Sequence, residues 1–146
     1  MQTFLPYPSF IKSAKCLDYR RLGKQRLEAW QIYLALTKEN YGWKNHPIVK
    51  MWKGYKAYLL IYGIIICQEW RNRGYKDTML IKFLDEIIKL KGKVKHFYKP
   101  KWLGNRKFHA SHKSNLLRKD KKYYSKFGWK IKDNLKYVWI IKENKK

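Results

Sequence analysis

Three stretches of the chain gather residue types that can do chemistry. The first is Arg20-Arg21-Leu22-Gly23-Lys24-Gln25-Arg26-Leu27-Glu28. On a helix Arg21, Gln25 and Glu28 stack at i, i+4 and i+7, with Arg20 and Lys24 beside them. The row reads in two ways. It is either a solvated face with an internal salt bridge, or a phosphate-gripping face with one embedded carboxylate. In the second reading Arg20, Arg21, Lys24 and Arg26 hold a sugar-phosphate backbone while Glu28 stabilises a cationic sugar or carries a proton.

The second stretch runs over residues 108–120. Ser111 and Ser114 near a helix start, followed by Lys113, Arg118 and Lys119, make an anion site from backbone N–H groups and side chains. The alternative is a purely structural helix. His109 and His112 are three apart and can share a helix face. A metal there would need partners from Cys16, Cys67, His46 or His96, whose spacing does not supply them. The third stretch is Tyr41-Gly42-Trp43-Lys44-Asn45-His46-Pro47. In a polar loop Trp43, flanked by Asn45 and His46, either stacks on an exposed base or plugs a helix junction. No phosphate-binding glycine loop, dinucleotide fingerprint, zinc-finger spacing or nucleophile elbow is present, and no cofactor is expected.

Helices must carry these groups. Pro6 and Pro8 keep the first residues extended, and Ser9 caps a short helix ending near residue 15. Asp18 is placed as the N-cap of a helix reaching residue 38, with Leu22, Ala29, Trp30, Tyr33, Leu36 and Thr37 on one face. Pro47 as N1 and Gly74 as C-cap bound one helix of up to about 27 residues, apolar nearly all round and therefore central. Asp77 or Thr78 opens another, which carries Met79, Leu80, Phe83, Ile87, Ile88 and Leu90 to Gly92. Residues 95–107 read as a long basic loop, and His109 or Ser111 opens a helix to residue 119. The ending, with Tyr123, Tyr124, Phe127, Trp129, Tyr137 and Trp139, is too aromatic for a free tail. The expected fold is mainly α: a compact single domain over residues 1–146, a bundle of three to five helices.

The totals say what such a fold serves. Thirty-five Lys and Arg stand against 10 Asp and Glu, a net charge of +25 on 146 residues. That charge repels itself on folding and calls for a polyanionic partner, nucleic acid ahead of an acidic membrane surface or an acidic protein. Cys16 and Cys67 read as small core residues of a reducing compartment. The first residues lack the layout of a secretory signal, and the longest apolar run is too short for a bilayer, so an intracellular location is expected.

At these same residues the chain resembles a known family. The opening Met1 to Pro8, Arg20 to Glu28, Tyr41 to Pro47, Phe108 to Asp120 and the ending Tyr137-Val138-Trp139 are similar to a set of small proteins grouped with the pyrimidine-dimer DNA glycosylase/AP lyases of the phage endonuclease V type. That resemblance implies a mostly helical fold that kinks damaged DNA and flips a base; the expected partner is double-stranded DNA, bound by a monomer. It also implies attack on the sugar C1′ by an N-terminal α-amine, a Schiff base, and β-elimination. Carried onto this chain, the amine is that of Met1, since Gln2 disfavours removal of the methionine, and Lys24 is a second amine. The family's glutamate matches Arg21 here. The nearest carboxylate is Glu28, about two turns along and roughly 10 Å away. Glu28 with Gln25 and a histidine, His109 or His112, would surround the sugar. The other classes open to the sequence are a non-catalytic nucleic-acid-binding or packaging protein and an RNA-associated structural component.

Overall fold

Ser9 Oγ accepts the Lys12 amide at 3.1 Å and so starts the first helix, α1 (Phe10–Cys16). This computed structural model describes residues 1–141. Asp18 stands at the N-cap of α2 (Tyr19–Thr37), but its side chain caps nothing. The carboxylate instead takes the Tyr124 hydroxyl at 2.5 Å and Arg21 at 3.1 Å. Pro47 is N1 of α3 (Pro47–Trp52), and His46 caps it by accepting the Ile48 amide on Nδ1 at 3.1 Å.

The helix expected over residues 47–74 is broken. Gly54 takes φ +88°, and the Tyr55 amide turns back to the Trp52 carbonyl at 2.8 Å. Glycine is the residue that enters this left-handed region without penalty, so the chain re-aims there and restarts as α4 (Lys56–Asn72). Next comes α5 (Leu80–Lys91), whose first turn is closed by Asp77 Oδ2 accepting the Leu80 amide at 2.7 Å. Of the apolar residues α5 carries, Phe83 and Leu90 are buried, whereas Ile88 is 67% exposed. The basic loop ends earlier than expected, because Asn105 Oδ1 accepts the Phe108 amide at 3.0 Å and opens α6 (Arg106–Lys119). A single turn, α7 (Lys121–Tyr124), and a 3₁₀ turn (Ser125–Phe127) follow. Among the described residues all regular structure is helical: seven α-helices, four of them with twelve residues or more.

The middle of α4 is apolar, and α1, α2 and α5 pack around it. Its fully buried Leu59, Leu60, Tyr62 and Ile66 each stabilise the fold by about 1.5–3 kcal/mol if counted as buried side chains. Gly63 lets α5 come close: a Cβ there would lie 2.3 Å from the Phe83 ring. Cys16 and Cys67 are free and buried, and burial pushes the Cys16 thiol up to about 12. Among the described residues, no helix is long and apolar enough to cross a membrane.

The aromatic ending packs back. Trp129 stacks on Phe127 with centroids 5.2 Å apart and on Tyr124 at 5.8 Å, and its Nε1 donates to the Tyr7 hydroxyl at 2.8 Å. Beyond it, one face of α6 ties the chain down. Ser114 Oγ donates to the Lys132 carbonyl at 2.5 Å and accepts the Leu135 amide at 2.9 Å. Ser111 Oγ accepts the Val138 amide at 3.2 Å, Asn115 donates to the Leu135 carbonyl at 3.2 Å, and Arg118 donates to the Asp133 carbonyl at 2.6 Å. Tyr137 thereby arrives over Phe4 and His112, with ring centroids 6.5 and 5.6 Å away.

Candidate active site at the amino terminus

Residues 2–5 belong to no helix or strand, yet Gln2, Thr3, Phe4 and Leu5 are all buried. A buried backbone without a ladder must find its partners among side chains. It finds one for every N–H. Gln2 donates to Glu28 Oε2 at 3.1 Å and Thr3 to Gln2 Oε1 at 3.0 Å. Phe4 donates to Gln25 Oε1 at 2.9 Å, and Leu5 to His112 Nδ1 at 2.9 Å. Tyr62, fully buried in α4, brings its hydroxyl to the Phe4 carbonyl at 3.0 Å and to Gln25 Oε1 at 2.7 Å. Trp52 Nε1 donates to Thr3 Oγ1 at 3.1 Å.

These bonds place Met1 in the lining of a cleft of about 530 Å³. Its wall is one face of α2, with Arg20, Arg21, Lys24, Gln25 and Glu28, closed by Lys119 of α6, Phe4 and Tyr137. Glu28 is the one acid among the residues lining it. The Gln25 amide donates to Glu28 Oε2 at 3.0 Å, so the carboxylate is fixed by two neutral N–H groups. Among the described residues no base lies within ion-pair distance of it. The first turn of α2 carries two arginines and no acid, at the end of the helix where the dipole favours anions. Asp18 anchors Arg21 from behind at 3.1 Å.

His46 stands beside this cleft. Burial and the positive α-amine of Met1 hold its ring below the ordinary histidine value, against the pull of Glu28. Its ring meets Trp139 edge-on at 5.9 Å and Trp43 at 6.0 Å. Trp43 is 57% exposed and has φ 72°, a strained value for a bulky residue. Asn45 is exposed next to it. Burial, with Glu28 adding to it, pushes the Tyr137 hydroxyl up to about 12.

The remaining residues singled out in the sequence sit elsewhere. Arg26 points away from the cleft, to Asp77 at 2.5 Å and over the Trp70 ring at 4.5 Å. Burial opposes ionisation of Asp77, but Arg26 and two backbone amides outweigh it and hold the carboxyl below its usual value. His109 and His112 lie behind the cleft. His109 Nε2 accepts the Gly104 amide at 2.9 Å, which leaves Nδ1–H to donate to the Leu5 carbonyl at 2.7 Å. Burial lowers both rings, His112 to about 3, so both are neutral at pH 7. Ser111, Ser114 and Arg118 spend their polar atoms on the backbone of residues 132–138, on the Phe108 carbonyl and on Asn115. Lys113 lies over Tyr7 and Trp129, at 5.0 and 5.8 Å from the ring centres. Among the described residues no three metal-ligating side chains come together.

Two contributors to the cleft carry no local signal in the sequence. Gln2 reads as an ordinary second residue, and Tyr137 as one more aromatic of the ending. Both reach the cleft through long-range bonds, Gln2 to Glu28 directly and Tyr137 through the α6 clamp.

A cleft of cations around a fixed carboxylate and an α-amine suits a phosphodiester substrate with a reacting sugar. The family model for pyrimidine dimer DNA glycosylase matches residues 1–83, which hold the buried amino-terminal segment, Arg20 to Glu28 and His46. The chain belongs to the pyrimidine dimer DNA glycosylase family. It is thus a member of a DNA-binding, DNA-repair family. No curated protein and no solved structure matches it.

Proposed function

We propose that the protein is a DNA glycosylase with AP lyase activity, acting as a single-domain monomer on damaged or modified bases in double-stranded DNA. The observation that carries this reading is the cleft in which Met1 and Glu28 face a shared ring of Arg20, Arg21, Lys24 and Lys119. The four bases hold phosphates flanking the lesion, and the exposed Trp43, beside His46, contacts a base with Asn45.

The neutral Met1 amine attacks C1′ of the sugar. The N-glycosidic bond breaks, its electron pair leaves on the base, and the base takes up a proton. The sugar ring opens as the amine and C1′ form the imine. Loss of the C2′ proton then expels the 3′ phosphate and cuts the strand, and water releases the amine. Glu28 stabilises the positive charge that develops on the sugar and receives the C2′ proton. Gln25 holds Glu28, and His109 and His112 hold Leu5, so these three act as positioning residues.

The test is reductive trapping. Abasic and ultraviolet-irradiated duplexes are mixed with the protein under borohydride, and any covalent adduct is digested and mapped. An adduct at Met1 is expected, and one at Lys24 would reassign the nucleophile. No adduct and no strand cleavage, with salt-sensitive DNA binding retained, would overturn catalysis. A non-catalytic binding protein, in keeping with Arg21 at the position of the family's glutamate, would then stand.

A further inference from the structure

On the side of α2 away from Glu28, a column of side chains stacks outward. Arg26, held by the buried Asp77, lies 4.5 Å from the centre of the Trp70 ring. Tyr75 stacks on Trp70 with centroids 4.2 Å apart and planes 27° from parallel. Tyr19 continues the column, 6.4 Å from Tyr75 and tilted by 30°. Arg20 ends it, its guanidinium 5.9 Å from the Tyr19 ring centre and its Nε donating to the Tyr19 hydroxyl at 3.4 Å.

The inner end is built to be fixed. Trp70 Nε1 donates to the Lys76 carbonyl at 2.8 Å, and a Cβ on Gly23 would come within 2.8 Å of the indole. Gly74, at φ +91°, lets the chain fold Tyr75 back onto Trp70. The outer end is open: Tyr19 is 53% exposed and Tyr75 42%. Beyond the Trp70 contact, the Tyr19 and Tyr75 rings, tilted by 30° to each other, leave apolar surface in water. Arg20 belongs to both places, since it also lines the cleft.

We propose that Tyr19 and Tyr75 form a stacking platform for an unpaired nucleobase of the DNA strand whose phosphate Arg20 grips. This rests on the reading of the cleft as a DNA grip, and it requires no catalysis. The net charge of +25 and the shared arginine select a polyanion, and the flat, exposed rings select a planar aromatic group on it. A base out of its stack has lost its neighbours, and an aromatic surface restores that contact for any of the four bases.

The experiment uses the intact protein and a duplex carrying one unpaired 5-iodouracil, with a fully paired duplex of the same length beside it. Irradiation of the bulged complex is expected to cross-link Tyr19 or Tyr75. Tyr19→Leu and the double Tyr19→Leu/Tyr75→Leu variant are expected to bind the bulged duplex about 5- to 100-fold more weakly, with binding of the paired duplex within about twofold of the parent protein. Because Tyr19 is an exposed side chain, the single variant keeps the test clear of folding effects. Cross-links mapping elsewhere, or equal losses on both duplexes, would overturn the platform and leave the DNA grip standing. Failure of the parent protein to bind either duplex would remove both.

Discussion

His112 Nδ1 accepts the backbone N–H of Leu5 at 2.9 Å across 107 positions of sequence. This bond, four residues from the Met1 amine, makes the placement of the cleft depend on a neutral histidine. The His112 ring is held down to about 3 by burial, with His109 adding to it, against an ordinary value of 6.5. The unfolded chain therefore binds a proton between those values that the folded chain does not, so stability falls as pH drops through that window. At pH 5 the loss relative to pH 8 is about 2 kcal/mol from this one residue. Urea unfolding at the two pH values measures it. His112→Asn, which keeps an acceptor near Nδ1, is expected to flatten the dependence. An unchanged pH slope in that variant would contradict the account.

Glu28→Gln keeps an oxygen to accept the Gln2 amide and removes only the charge. Its fold and DNA affinity should hold, while the rate of borohydride-trapped adduct on an abasic duplex falls about 10²- to 10³-fold. Equal trapping rates in the two proteins would take Glu28 out of the chemistry.

Arg26 and Lys119 should separate cleanly. Arg26→Ala strands the buried carboxylate of Asp77 and is expected to cost about 3–5 kcal/mol of stability without altering the salt dependence of duplex binding. Lys119→Ala, an exposed cleft residue, should change stability by less than about 0.5 kcal/mol. It should reduce the slope of log affinity against log salt by about 1. Thermal melts and binding titrations at several salt concentrations decide both.

Gly63→Ala drives a methyl group into the Phe83 ring, where the Cβ would stand 2.3 Å from the nearest carbon. Separating α4 from α5 to make room is expected to cost about 1–3 kcal/mol. A melting temperature equal to that of the parent protein would show that this contact has slack.

What the sequence made legible was local. Ser9, Pro47 and the Arg20 to Glu28 row announce themselves within a turn or two, and the structure has helices starting at Phe10, Tyr19 and Pro47. Gly54 and Asn105 shift helix boundaries through single hydrogen bonds and one left-handed residue, which periodicity passes over. The cleft was half legible. Arg20, Arg21, Lys24, Gln25 and Glu28 share a face by spacing alone, whereas Lys119 and Tyr137 join them only through tertiary packing. Ser111, Ser114 and Arg118 show why the rest stayed hidden. Ser114 and Arg118 donate to carbonyl oxygens of residues 132–138 as they would to a phosphate, and Ser111 accepts the Val138 amide, so composition cannot tell a clamp on the chain from a grip on a ligand.

The clamp on residues 132–138 also makes the buried amino-terminal segment depend on distant sequence. Gln2 and Phe4 find their partners in Glu28, Gln25 and Tyr62, but the Leu5 backbone has none until His109 and His112 exist. Tyr137, which closes over Phe4, stands later still in the chain. A fragment ending before residue 109 therefore leaves the Leu5 backbone unpaired, and one ending before residue 132 leaves Phe4 without its Tyr137 cover.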